Sequence, residues 1–96
     1  MTFTDLQEAL RILGLGERAT LREIKRQHRE LVKQHHPDSG DVGDPEVIRQ
    51  VNAAYRVLLE YLDGYRFSFS EGEFYEQNPE ERLRRQFACD PIWGGG

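Results

Sequence analysis

The chain is poor in cysteine: Cys89 is the only one, so no internal disulfide can form. No stretch of about 18 apolar residues exists to cross a bilayer. The opening MTFTDLQEAL has neither the basic start nor the apolar run of a secretory signal. These shortages set the expectation of a cytoplasmic protein in a reducing compartment. Catalytic material is equally thin. No serine, cysteine or histidine stands with a recognisable base and orienting group, so no enzyme is expected. Paired thiols are missing, and Asp38, Asp41 and Asp44 lack the alternating spacing of a calcium loop, so neither a metal nor a cofactor is expected. With 96 residues, the chain has room for one small domain and a tail, not for a roomy cleft.

What is present is helix punctuation. In TDLQEALRILG, Thr4 and Gln7 have capping-box spacing. Leu6, Ala9, Leu10 and Leu13 share a face, and Gly14 can end the helix in the left-handed region. A second, longer helix follows Thr20, which again has an acidic partner three residues on, Glu23. Leu21, Ile24, His28, Leu31 and His35 recur in steps of three and four until Pro37 stops the helix. SGDVGD is a loop. Asp44 before Pro45 is a cap before a favoured first helical residue, and Ile48, Val51, Tyr55, Leu58 and Leu62 carry a third helix over roughly 45–62. The expected fold is therefore all-α, with an antiparallel hairpin of helices two and three and a short N-terminal helix.

The net charge of -4 conceals a local excess of the other sign. At about 100° per residue, Arg22, Lys25, Arg26, Arg29 and Lys33 gather on the face of helix two opposite its apolar stripe, with Glu23 and Glu30 to one side. Taken alone, such a stripe is most simply a solvated helix face. It runs, however, toward His36-Pro37-Asp38 at the tip of the hairpin.

That combination resembles the J domain of DnaJ-type co-chaperones. A short helix ending in LGL (13–15), a basic helix, His36-Pro37-Asp38 and a third helix with NAAYRVL (52–58) are similar to the family over residues 4–62. The resemblance implies no bond chemistry. It implies docking on a DnaK-type heat-shock chaperone and stimulation of that partner's ATP hydrolysis, coupled to client capture. It assigns the partner-binding surface to His36, Pro37, Asp38, Arg22, Lys25, Arg26, Arg29 and Lys33. Pro37 would fix the tip backbone and preorganise it for docking. Asp38 would offer a carboxylate to a partner arginine. The basic stripe would steer encounter and carry the salt dependence. The alternative for the tripeptide is a plain helix stop with Asp38 bonded to nearby amides.

Departures from the family pattern are definite. Leu10, His28, His35 and Ile48 stand where larger aromatics are common, so His28 and His35 are expected as partly buried core histidines. No short basic fourth helix, glycine-phenylalanine linker or repeated CxxCxGxG motif follows, which places the resemblance with the minimal class of J proteins. The expected division is a J domain over 1–64 and an aromatic-rich extension over 65–96.

Seven aromatics fall in that extension: Tyr65, Phe67, Phe69, Phe74, Tyr75, Phe87 and Trp93. The alternation of Tyr65, Phe67 and Phe69, followed by Glu71-Gly72, suggests a small β-hairpin. NPEERLRRQF suggests a short helix capped by Asn78, and ACDPIWGGG a loose end. The aromatics are expected to cover the edge of a small core, the alternative being a client- or target-binding surface. Two other functions compete with the co-chaperone: a partner-binding scaffold acting through the tail, and a nucleic-acid module. The acidic balance, with a pI near 5.3, disfavours the latter.

Overall fold

The computed structural model describes residues 1–36 and 44–88. They form five helices: α1 (Phe3–Leu13), α2 (Leu21–His35), α3 (Pro45–Asp63), α4 (Glu71–Gln77) and α5 (Pro79–Ala88). None is long and apolar enough to cross a membrane. The chain divides into two compact units, one over Met1–Tyr65 and one from Arg66 onward.

The cap of helix α1 lies two residues earlier than expected. Thr2, not Thr4, is the cap. Its hydroxyl accepts from the Asp5 N–H at 3.1 Å while the Asp5 carboxylate accepts from the Thr2 N–H at 2.9 Å. Both threonines have the spacing, but only Thr2 has an ionised acceptor three residues on, and a carboxylate also suits the positive end of the helix. The Thr2 N–H, and then its hydroxyl, hold the Asp5 carboxyl below its usual range. The other end is as the sequence predicts. Gly14 sits at φ 68°, ψ 34°, where a side chain would be strained, and its N–H donates to the Arg11 carbonyl at 3.1 Å.

Helix α2 opens on Thr20, whose hydroxyl accepts from the Glu23 N–H at 3.1 Å. Replacing Thr20 with alanine orphans that N–H and is expected to cost about 1 kcal/mol, measurable as a lower urea midpoint at unchanged slope. The helix ends at His36, which is extended at φ -73°, ψ 136°, as a residue before proline should be. Pro37 and Asp38, and with them most of the predicted SGDVGD loop, lie outside the described residues. Asp44 resumes the description. Its carboxylate accepts from the Glu46 N–H at 3.0 Å and starts α3 ahead of Pro45.

Three helices of the first unit share one core. Its fully buried members are Ala9 and Leu13 from α1, Ile24 from α2, and Val51, Ala54 and Leu58 from α3. Leu6, Leu10, Leu31, Tyr55 and Leu62 pack around them, and α2 and α3 form the expected antiparallel hairpin. Two details differ from the predicted stripes. Leu21 is 46% exposed, whereas Ala54 is buried. Leu21 is the first residue of α2 and lies outside the packed cluster, whereas Ala54 sits with Val51 and Leu58 on the buried face of α3.

In the second unit the predicted β-hairpin is replaced by a helix. Residues 65–69 carry no regular structure, and α4 occupies what would have been the return strand. Ser70 explains the outcome. Its hydroxyl accepts from the Glu73 N–H at 3.2 Å, so Ser70 caps a helix with Glu71 and Glu73 in its first turn. The weak Glu71-Gly72 turn signal cannot compete with that cap. The predicted last helix is present as α5, but the Asn78 side-chain amide turns back and donates to the Phe74 carbonyl at 2.9 Å. Phe67, Phe69, Phe74 and Phe87 each expose half or more of their surface, and none of them is buried among the described residues.

Candidate partner-docking site

The face of α2 that meets its neighbours is set by three contacts. Ile24 is buried in the core. Gln27 Nε2 donates to the Leu13 carbonyl at 3.1 Å, tying α2 to the end of α1. His28 Nε2 lies 2.8 Å from Asn52 Oδ1, and the His28 ring stacks on Tyr55 with centroids 3.9 Å apart and planes 9° from parallel. With the Asn52 carbonyl as acceptor, Nε2 is the protonated ring nitrogen. His28 is half-buried as expected, and so is His35. The flat imidazole supplies the aromatic face that the resemblance led one to expect from a larger ring.

Those contacts fix the opposite face. With Ile24 as reference, Arg22, Lys25, Arg26, Arg29 and Lys33 fall roughly 100–200° around the helix. All five are exposed. Among the described residues none of them takes part in an ion pair, although Glu23 and Glu30 stand on the same helix. Cations outside any ion pair among the described residues keep their field available to an acidic surface. His36, at the end of the same helix, is exposed and does have an interaction of its own. The structure thus brings six of the eight predicted site residues onto one helix and its cap, with Pro37 and Asp38 outside the described residues.

Sequence reasoning missed the polar residues on the inward side. Gln27 and Asn52 hold the hairpin and α1 in register, yet apolar periodicity is blind to them. The available signal was His28 itself: a histidine on an apolar stripe needs a hydrogen-bond partner, and Asn52 is the neutral acceptor on the facing helix.

Comparison with known proteins identifies the family of the first unit. The family model described as DnaJ domain matches residues 3–61. The chain is 47% identical over 55 residues to an uncharacterised 19.0 kDa protein of a Sinorhizobium species, covering 55% of this chain and 32% of that protein. It is 45% identical over 49 residues to the chaperone protein DnaJ of Ureaplasma parvum, covering 51% of this chain and 13% of that protein. With the DnaJ protein homolog 2 of Allium porrum it shares 32% identity over 85 residues, covering 88% of this chain and 17% of that protein. The matched segment thus spans a third or less of these relatives. No solved structure matches significantly. With the family match covering all three helices of the first unit, the chain belongs to the DnaJ domain family.

Proposed function

We propose that this chain is a J-domain co-chaperone: residues 1–64 dock on a DnaK-type heat-shock chaperone and stimulate its ATP hydrolysis, coupling it to client capture. The chain itself performs no bond chemistry. The observation that carries the reading is the basic face of α2, outside any ion pair among the described residues, set opposite the packed face and leading to His36. Arg22, Lys25, Arg26, Arg29 and Lys33 draw in an acidic surface. His36, Pro37 and Asp38 then engage the partner at the tip, with Pro37 limiting the backbone freedom lost on docking and Asp38 accepting from a partner arginine. Residues 65–96 act as a separate extension.

The test is single-turnover ATP hydrolysis by a DnaK-type chaperone with and without this protein. Wild type should accelerate turnover at least about tenfold, a barrier change of roughly 1.4 kcal/mol. His36→Gln and Asp38→Asn should each remove the acceleration while leaving helicity and the unfolding midpoint unchanged. If wild type accelerates nothing, the tail-dependent scaffold becomes the better reading. If Asp38→Asn accelerates as well as wild type, the tripeptide is a helix stop and turn.

A further inference from the structure

Apolar burial leaves one coordinate of α2 poorly fixed, its roll about its own axis. Among the described residues Ile24 is the only one of this helix fully buried in the core, with Leu31 and Val32 partly buried beside it. Apolar contact has no preferred direction. Two neighbouring polar side chains supply the direction. Gln27 and His28 stand about 60° and 40° to either side of Ile24 around the helix, and both are half-buried. Gln27 Nε2 donates to the Leu13 carbonyl of α1 at 3.1 Å. His28 Nε2 donates to Asn52 Oδ1 of α3 at 2.8 Å, and the stack on Tyr55 holds the plane of its ring. Both acceptors sit on packed backbone, since Leu13 is fully buried and Asn52 follows the buried Val51.

We propose that Gln27 and His28 are positioning residues: they set the roll of α2 and so the direction in which its basic face and His36 meet the partner chaperone. The role in aiming rests on the co-chaperone reading; the control of roll does not. At about 5–6 Å from the helix axis, a roll of about 20° carries a side chain roughly 2 Å. The same movement takes a hydrogen bond of 2.8 Å beyond useful range. Because the two bonds lie on opposite sides of Ile24, a roll in either sense pulls on one of them. The cations on the far face share the same rigid helix, so their aim is as definite as these two bonds. Half-buried neutral hydrogen bonds contribute modestly to stability, which makes aim and stability separable. Aim matters where groups must act together, since a misplacement of about 1 Å can cost as much as a hundredfold in rate.

The intact chain carries the test, with residual dipolar couplings of the α2 amides giving its roll relative to α3. Asn52→Leu keeps a branched side chain but removes the acceptor. It should roll α2 by roughly 20° or more while lowering the melting temperature by under about 10 °C. Asn52→Asp keeps an oxygen in the same place and should hold α2 as in the wild type. His28→Phe keeps a flat ring over Tyr55 without the N–H, and Gln27→Met removes the donor on the other side. Each should roll α2 too, and they decide the point if Asn52→Leu fails to fold. In single-turnover ATP hydrolysis by a DnaK-type chaperone, the rolled variants should lose most of the acceleration even at saturating concentration, and Asn52→Asp should keep it. A merely supporting role predicts no such loss in a folded chain. An unchanged roll in the variants lacking a partner, or an Asn52→Asp chain that rolls as Asn52→Leu does, would overturn the inference alone. Full acceleration by a rolled variant would overturn the role in aiming. A wild type that accelerates no chaperone would overturn the functional reading, and the aiming role with it.

Discussion

Leu13→Ala is expected to destabilise the first unit by about 3 kcal/mol, enough to leave a domain of this size largely unfolded under mild stress. Leu13 is fully buried at the end of α1. Its carbonyl also accepts from Gln27, so its backbone is held in place and cannot easily move to fill the void. The loss therefore combines the transfer term with most of the cavity term. For a domain of 60–100 residues each kcal/mol lowers the melting temperature by about 4–8 °C, which predicts a fall of roughly 12–24 °C. Leu21→Ala serves as the internal comparison. That leucine is 46% exposed and its removal should cost under about 1 kcal/mol. Thermal melts followed by circular dichroism would check both. Equal losses at the two positions would mean that the core is not where the packing puts it.

Alanine at Arg22, Lys25, Arg26 and Arg29 together is expected to slow association with a DnaK-type chaperone by about a hundredfold at low salt, while the dissociation rate changes far less. These cations are exposed and, among the described residues, outside any ion pair, so their removal strips the long-range field without orphaning a neighbour. Alanine is the best helix former, so α2 should persist. The deficit should nearly vanish by about 1 M salt, where the screening length falls to about 3 Å. Stopped-flow association at two ionic strengths decides the point. A deficit that survives high salt would convert the stripe from a steering field into a set of close contacts. Unchanged association at low salt would return it to a solvated face.

Legibility in the sequence followed the locality of the cause. Thr20 and Asp44 mark the starts of α2 and α3, and Gly14 and the residue before Pro37 mark the ends of α1 and α2, because each acts within three or four residues of itself. The basic face was legible for the same reason, since it needs only the helical period. The start of α1 slipped by two residues because two threonines offered the same spacing and the stronger acceptor, Asp5, decided between them. The β-hairpin was a misreading of period. Three aromatics alternate, but a hairpin needs a second strand, and Ser70 had already committed the following residues to a helix. Least legible were Gln27, Asn52 and Ala54. Their importance depends on what α1 and α3 place opposite them, which no local pattern encodes.

Anchoring is unequal among the three helices of the first unit. Helix α3 contributes three fully buried residues and α2 only Ile24. Transient opening should therefore begin in α2, whose amides should exchange with solvent well before those of α3. A loosely moored helix that docks on a partner, as proposed for α2, would have a thermodynamic signature. A partner that grips α2 suppresses its opening, so part of the intrinsic binding energy goes into quieting the helix, and deuterium uptake along Leu21–His35 becomes a reporter of occupancy even where the contacts themselves are few.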